Sequence, residues 1–507
     1  MTSVQETDVR ERDRPDLLPP YAVVGVGAIA LVSAIALLAT LGRYGFFGDE
    51  LYFVSAGRRL AFGYADQGPL VPAIARLMDL IAPGSLIALR IPAAVVTVAA
   101  IMISAQIARE LGGSRGAQLL TATAYATSPF LLVQGNQLAT NTVDTALWVL
   151  ISWLLIRWVR TRQDALLVWA AVVTAIDMQV KWLIPFFWIA VAIGVLIYGP
   201  RELLRRPALW LGAAIVVVAT IPSLIWQASH GWPQLRLGAV VGAEQGMVGG
   251  RLTWLPLAIG AAGVLGGVLL LTGIWALFRS ESLRPYRFLA MLPLLLALVF
   301  IVTNGRSYYA AGCYAAIMAA GAVWWTQGAV RWRTFVGVPL VALSVALVLI
   351  SLPLQSESSI DPANDKAAAS LQITIYGRFG WPELRQATVE AYRALPETDR
   401  AETVVITDSY WQAGALDMDR QRDGLPSVYS PNRGFGYFGT PPDSATTVLW
   451  VGGDEAELRS MFETVTAVGR SDARLGFPDL TRDVTIWRCD RPRQAWSRAW
   501  PDLLRLD

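Results

Sequence analysis

Two adjacent carboxylates, Asp49 and Glu50, follow the first long apolar segment of the chain, which runs without a charge from 21 to 41. About 20 apolar residues are enough to cross the hydrocarbon core of a membrane. Ionisable groups at a membrane boundary are costly, so they usually belong to a reaction site or a substrate path. A carboxylate there can take a proton from an attacking hydroxyl group or bind a metal ion.

We predict that Asp49 is a general base. Glu50 would orient it, or bind an acceptor or a metal. The simpler explanation is that both acids stabilise the start of the next helix, because acids favour helix N-termini.

Further polar side chains accompany this pair. Tyr64, Asp66 and Gln67 lie in the same loop, where Asp66 could instead organise the turn at Gly68-Pro69. Others lie at the ends of later apolar segments: Asn141, Asp144, Lys181, His230, Arg306, Tyr308 and Tyr309. We expect these residues to line a substrate site. The alternatives are a structural pair for Asp144, a snorkelling side chain for Lys181 and loop packing for His230.

The composition predicts a polytopic membrane protein. Of 507 residues, 54% are hydrophobic and only 16% are charged. A net charge of +3, with no basic stripe among aromatic residues, excludes a nucleic-acid partner. The two cysteines, Cys313 and Cys489, form neither a disulfide framework nor a metal-binding spacing.

Eleven apolar segments are candidate membrane spans: 21–41, 86–108, 116–133, 138–156, 164–180, 183–199, 208–227, 253–278, 288–303, 308–327 and 334–353. Arginines cluster in alternate loops, including Arg10, Arg12 and Arg14 before the first span. The positive-inside rule then predicts a cytoplasmic N-terminus. The chain would be a multi-pass protein of the plasma membrane with its C-terminal part outside the cytoplasm.

This reading divides the chain into a cytoplasmic tail (1–20), a membrane domain (21–354) and an extracytoplasmic α/β domain (355–507). The membrane domain would have its catalytic loop at 43–85. Apolar residues at helical spacing predict an amphipathic helix near 70–81, lying in the membrane surface. In the last part we predict helices at 381–395 and 455–462 and strands at 403–407, 447–451 and 484–488. The 432–439 loop, rich in glycine and aromatic residues, could contact a sugar or be a simple turn.

Several of these motifs resemble a known family. Asp49-Glu50-Leu51-Tyr52 and the 63–70 segment GYADQGPL are similar to the first-loop motifs of the protein O-mannosyltransferase-like membrane glycosyltransferases, which include the lipid A aminoarabinose transferases. The later matches are Asn141-Thr142-Val143-Asp144, Lys181-Trp182 and Arg306-Ser307-Tyr308-Tyr309. The resemblance covers roughly 20–355 and extends more loosely beyond.

The resemblance implies a C-type glycosyltransferase architecture and an enzyme that uses a polyprenyl-phosphate sugar on the extracytoplasmic face, with inversion at the anomeric carbon. The family often has a lysine, able to engage the donor phosphate, where this chain has Gln67. Because an amide cannot balance a phosphate, we expect Lys181, Arg306 or Arg58 to do so.

The same residues are compatible with other roles. A divalent cation, Mg²⁺ or Mn²⁺, could bind Asp49 and Glu50, although a spaced ligand set is missing. The chain could instead be a transporter or flippase of lipid-linked sugars, or a non-catalytic scaffold in cell-envelope assembly. The sequence specifies neither the sugar nor the extracytoplasmic acceptor, which could be a protein, a lipid or a cell-envelope glycan. The other expected partners are the donor and membrane lipid.

Overall fold

The computed structural model describes residues 18–247, 249–327 and 331–507. The predicted cytoplasmic residues Arg10, Arg12 and Arg14 lie outside this part of the chain. Five helices in it are long and apolar enough to cross a membrane, or six if one bent pair is a single span. They are α1 (Val23–Thr40), α4 (Leu86–Glu110), α7 (Thr140–Thr161), α10 (Pro207–Ser229) and the segment Arg284–Val302, which ends in α14 (Met291–Val302).

Shorter helices occupy the other predicted spans and the loops between them. They are α2 (Gly48–Gly57), α3 (Leu70–Ile81), α5 (Arg115–Ala126), α6 (Pro129–Val133), α8 (Ala165–Asp177), α9 (Ile184–Tyr198), α11 (Pro233–Met247), α12 (Gly250–Ala261), α13 (Gly263–Arg279), α15 (Tyr314–Thr326) and α16 (Arg331–Ser351). Each of the eleven predicted spans therefore coincides with a helix or a helix pair. The number that cross the membrane stays a prediction.

The predicted 253–278 span is not one straight helix. It bends by 106° between α12 and α13. Gly263, at the bend, has a φ of +76°, a left-handed conformation that glycine adopts without strain. A methyl group added there would lie 3.1 Å from the carbonyl oxygen of Thr127, in the break between α5 and α6. The breaks in two predicted spans therefore pack against each other.

The loop after α1 folds into two short helices. α3 has the predicted bounds and buries Val71 and Ala75, whereas Leu77, Leu80 and Ile81 stay exposed by 54%, 60% and 67%. An apolar face left open next to the ends of membrane helices is typical of a helix lying in the membrane surface.

The last part of the chain contains a five-stranded mixed sheet in the order β2-β1-β3-β5-β4. The strands are β1 (Thr403–Thr407), β2 (Val428–Tyr429), β3 (Thr447–Val451), β4 (Phe462–Ser471) and β5 (Val484–Pro492). β1 runs parallel to β2 and β3, and β5 runs antiparallel to β3 and β4.

Short helices surround this sheet: α17 (Lys366–Leu371), α18 (Ile373–Tyr376), α19 (Trp381–Arg393), α20 (Glu397–Arg400), α21 (Tyr410–Met418), α22 (Arg420–Asp423), α23 (Glu455–Met461) and α24 (Trp496–Leu503). The sequence missed α21 and the edge strand β4. Most residues of β4 are exposed, so it lacks the apolar alternation that marks a half-buried strand.

The orientation in the membrane can be tested by cysteine labelling after replacement of both native cysteines. Ser444 and Ser282 are exposed, in the sheet domain and in the loop after α13 respectively. We expect a membrane-impermeant thiol reagent to label Ser444→Cys in intact cells and Ser282→Cys only after the membrane is opened. Labelling of Ser282→Cys but not of Ser444→Cys in intact cells would show that the protein has the opposite orientation.

Candidate functional site

The site is built around a buried ion pair between Glu50 and Arg90, both fully buried. Arg90 Nε donates to Glu50 Oε1 at 2.8 Å and Arg90 Nη2 donates to Oε2 at 2.7 Å. The two remaining acceptor positions of Glu50 are also used. Oε2 accepts from the Phe47 amide at 2.8 Å and Oε1 from the Leu138 amide at 3.0 Å.

Arg90 extends this network to the chain that leaves α1. Its guanidinium donates to the carbonyl oxygens of Leu41 at 2.7 Å, Arg43 at 3.3 Å and Gly45 at 2.8 Å. One ion pair therefore fixes the end of α1, the start of α2, the start of α4 and the turn before α7.

This geometry gives Glu50 a structural role. Both of its oxygens are engaged and the side chain has no exposed surface, so it offers nothing to an acceptor or a metal ion. The expectation that Glu50 binds either of them is not supported. Its place, next to Asp49 at the first turn of α2, suits a residue that positions its neighbour.

Asp49 is held by the C-terminal part of the chain. Its Oδ1 accepts from the Tyr410 hydroxyl at 2.7 Å and from Trp411 Nε1 at 2.8 Å. Its Oδ2 accepts no hydrogen bond from any residue that the structure describes, and the side chain is partly exposed. Gly48 permits this contact, because a methyl group added there would lie 2.0 Å from the Trp411 ring.

Asp66 lies close to Asp49 and on the same side of the molecule. Its Oδ1 accepts from the Tyr52 hydroxyl at 2.8 Å. Burial raises the pKa of Asp66 to about 6, although the charge of Arg433 and the hydrogen bond from Tyr52 oppose that shift. A methyl group added at Gly434 would lie 1.8 Å from the Tyr52 hydroxyl, so this close contact requires glycine.

Lys181 lies close enough to Asp49 for their charges to interact. Its Nζ donates to Asn141 Oδ1 at 2.6 Å and lies 4.3 Å from the ring centre of Tyr309 and 5.8 Å from that of Tyr308. It interacts electrostatically with Asp49, Arg306 and Asp144. Asp144 is buried and its Oδ1 has no hydrogen-bond partner among the described residues.

A second group of charges lies beside Lys181. The carboxylate of Glu244, on α11, forms ion pairs with Arg306 and with Arg433. Arg306 precedes the 3₁₀ helix Ser307–Cys313 of the membrane part, and Arg433 begins the 3₁₀ helix Arg433–Tyr437 of the C-terminal part. Arg433 also interacts with Asp49 and Asp66. Cations from both parts therefore face the carboxylates.

Three predicted residues do not contribute a free group. Arg58 lies away from Lys181, where it pairs with Asp79 at 3.1 Å and donates to the Met418 carbonyl at 2.7 Å. The Tyr64 hydroxyl is used within the loop, donating to the carbonyls of Ala56 and Arg59. His230 stacks on Trp226 at 4.1 Å, which agrees with the packing alternative.

Gln67 is buried beside Tyr52. Neither end of its amide has a hydrogen-bond partner of ordinary geometry among the described residues. An unpaired buried amide is costly, which suits a group that meets a ligand.

Sequence reasoning missed Arg90, Asp177, Tyr410 and Trp411, and it included Arg433 only as part of the 432–439 loop. Arg90 and Asp177 each place a charge inside a predicted apolar span, and that signal could have identified both. Asp177 is fully buried, and neither oxygen has a hydrogen-bond partner of ordinary geometry among the described residues. Tyr410 and Trp411 bond to Asp49, and Arg433 pairs with Glu244, across more than a hundred residues in each case, so the sequence carries no local signal for these contacts.

Comparisons with known proteins agree with this architecture. Residues 66–226 match the family model described as dolichyl-phosphate-mannose-protein mannosyltransferase. No curated protein matches the sequence itself.

Among solved structures, ArnT from Cupriavidus metallidurans in the apo state has 13% identity and a TM-score of 0.63, with 92% of this chain and 98% of that chain covered. ArnT bound to undecaprenyl phosphate has 14% identity and a TM-score of 0.56 over the same shares. The arabinofuranosyltransferase AftD from Mycobacteria has 14% identity and a TM-score of 0.50, covering 93% of this chain and 42% of that one.

The chain is therefore a polytopic α-helical membrane protein with the C-type glycosyltransferase fold and a small C-terminal sheet domain. This confirms the predicted fold class and the resemblance to the protein O-mannosyltransferase-like and aminoarabinose-transferase-like families.

The buried ion pair between Glu50 and Arg90 leads to a prediction about stability. Arg90→Met leaves Glu50 buried and unpaired, so we expect the protein to lose about 3–5 kcal/mol of stability. Arg76→Met is the matched control, because Arg76 is 38% exposed and its 3.8 Å pair with Asp79 lies at the surface. It should cost less than about 1 kcal/mol. Thermal unfolding of the purified proteins measures both, and equal losses would contradict the structural role of Glu50.

Proposed function

We propose that the chain is an inverting membrane glycosyltransferase that moves a sugar from a polyprenyl-phosphate donor to an acceptor hydroxyl group. The observation that carries this proposal is a carboxylate, Asp49, that has one unbonded oxygen and faces cations at one end of a helical membrane bundle. The fold it shares with ArnT and the family match at 66–226 support the same enzyme class.

In the proposed reaction the acceptor oxygen attacks the anomeric carbon of the donor sugar. The bond from that carbon to the phosphate oxygen breaks, and the hydroxyl proton passes to Asp49 Oδ2. Tyr410 and Trp411 fix the other oxygen, so the unbonded one keeps a defined direction. The products are a glycosylated acceptor and polyprenyl phosphate.

The leaving phosphate gains negative charge as the bond breaks, and preorganised cations stabilise such charge. Lys181 and Arg306 are the predicted phosphate ligands that the structure brings near Asp49. Gln67 would contribute its unpaired amide as a hydrogen-bond donor. The ion pair of Arg58 with Asp79 removes it from this set.

The polyprenyl chain would fit an apolar cavity of about 530 Å³ between α8, α9 and α10. Met178 and Trp182, on either side of Lys181 in the sequence, line it together with Trp188 and Leu209. A charged group at the end of an apolar groove matches a lipid with a phosphate head.

Asn141, Asp144, Tyr308 and Tyr309 surround Lys181 and would bind the sugar or its phosphate. Asp66 would bind on the acceptor side. There the aromatic part of the 432–439 loop approaches, with Phe438 stacked at 6.0 Å on Tyr52. A role for His230 would be indirect, through its packing on Trp226.

A divalent cation, Mg²⁺ or Mn²⁺, would need more ligands than the site offers. Among the described residues no three His, Cys, Asp or Glu side chains are placed to hold a metal ion. Glu50 has no free oxygen for it. A cation there would have to take ligands from Asp49, the donor phosphate and water, and the proposed steps use only the chain's own side chains.

We further propose that transfer takes place at the extracytoplasmic face of the plasma membrane, with the N-terminus in the cytoplasm. The arginine-rich loops of the sequence support this orientation.

The role of Asp49 can be tested with Asp49→Asn. An amide cannot take the acceptor proton, so we expect transfer to fall by about 10²–10⁴. Donor binding should change little, because the cations remain in place. Transfer would be measured with a polyprenyl-phosphate sugar and cell-envelope acceptors from the host. Asp79→Asn, in the same loop but paired with Arg58, is the control. Turnover of Asp49→Asn near that of the parent would contradict the assignment of Asp49 as the general base.

The phosphate ligands can be tested by binding of the same donor. Lys181→Ala and Arg306→Ala each remove a charge-assisted hydrogen bond, so binding should weaken by roughly one to two decades. Gln67→Lys should leave binding equal or tighter. Arg58→Ala should have no effect, since that side chain points elsewhere. If both alanine variants of the phosphate ligands bind like the parent, the phosphate lies elsewhere. If the parent binds no donor at all, a scaffold role replaces the enzyme.

A further inference from the structure

The carboxylate of Glu244 bridges the two parts of the chain. One oxygen pairs with Arg306, from the membrane part, and the other with Arg433, from the C-terminal part. The three side chains are only 30%, 16% and 23% exposed for Arg306, Arg433 and Glu244. Glu244 is thus an anion held between two guanidinium groups close to Asp49.

Two guanidinium groups that share one carboxylate can also share a phosphate, because both anions accept charge-assisted hydrogen bonds through several oxygens. Without an anion the arginines would repel each other, and Lys181 would add a third like charge. A counter-anion shared by both arginines reduces this repulsion, in addition to the charges of Asp49 and Asp66 that act on Arg433.

We propose that Glu244 is that resident counter-anion, and that the donor phosphate displaces it from Arg306 and Arg433 when the donor binds. This inference rests on the proposed function. It assigns Arg433, from the C-terminal part, to donor phosphate binding. Because α11 carries Glu244, this helix must move before the phosphate can bind, and we call α11 the latch.

α11 has the properties of a segment that moves. Glycines recur at 238, 242 and 246, and each weakens a helix by roughly 0.5–1 kcal/mol relative to alanine. A methyl group added at Gly238 or Gly246 would touch nothing within 4 Å, so close packing does not explain these two.

Both ends of α11 adjoin glycines with left-handed backbone. Gly231 has a φ of +74° and Gly249 a φ of +96°. Residues next to helix ends that tolerate large backbone changes are where hinges form.

The first test measures binding of undecaprenyl phosphate to the purified full chain. Glu244→Gln keeps the shape of the side chain and removes the competing charge, so we expect binding to tighten by roughly tenfold. Glu202→Gln is the matched control. Glu202 lies in the loop between α9 and α10 and pairs with Arg162, so this substitution removes the same charge from a different ion pair. It should bind like the parent. Unchanged or weaker binding by Glu244→Gln would overturn the proposal and leave Glu244 as a permanent bridge.

The second test locks the latch. A Cβ built on Gly242 lies 3.8 Å from the Cβ of Asn304, a separation usual for a disulfide. In the double variant Gly242→Cys/Asn304→Cys, the oxidised protein should bind undecaprenyl phosphate at least tenfold more weakly than the reduced protein. Reduction should restore binding, which separates locking from misfolding. Equal binding in both states would show that α11 need not move.

These outcomes separate the latch from the proposed function. If the parent binds undecaprenyl phosphate and Arg306→Ala weakens that binding, the phosphate site stands whatever Glu244 does. If neither the parent nor the Glu244→Gln protein binds it, the proposed function falls and the latch falls with it.

Discussion

The ion pair between Glu50 and Arg90 is the constraint on which the site depends. Both side chains are fully buried, and their hydrogen bonds reach the end of α1, the start of α2 and the turn before α7. Buried pairs of this kind contribute little net stability compared with apolar packing, but losing one partner is costly. Its main effect is geometric. It fixes the first turn of α2, and Asp49 lies in that turn.

The C-terminal part of the chain adds further contacts to the region that the Glu50–Arg90 pair fixes. Arg378, just before α19, donates to Asn136 at 2.9 Å and to Gln137 at 3.1 Å, in the turn that also holds Glu50. Burial, and then the nearby charge of Arg90, lower the pKa of Arg378 to about 9. The fold thus holds two cations, Arg378 and Arg90, close together. The sheet domain in return places Tyr410, Trp411 and Arg433 around Asp49.

Local patterns account for the parts that the sequence predicted well. The helix at 70–81 and the strands at 403–407 and 447–451 have the predicted bounds, because apolar periodicity and β-branched runs mark them directly. The bend at Gly263 was missed, since an apolar run looks the same whether it is straight or broken.

The candidate site was predictable only in part. Asp49, Asp66, Lys181 and Arg306 are found together, and all four come from loops or segment ends on one predicted face. The partners that decide their roles come from distant parts of the chain. Arg90 and two backbone amides occupy both oxygens of Glu50, and Glu244 occupies Arg306. Neither contact can be predicted from the spacing of residues in the sequence, because the partners of a buried side chain depend on the tertiary fold.

We propose that Asp49 faces a donor phosphate held by cations from both parts of the chain. A structure of the Asp49→Asn variant in a lipid nanodisc with a bound polyprenyl-phosphate sugar would show where the phosphate lies. We expect the phosphate within about 3 Å of side-chain nitrogens of Lys181, Arg306 and Arg433, with Glu244 displaced and the anomeric carbon facing residue 49. A phosphate bound away from these three cations, or a sugar turned away from residue 49, would contradict it.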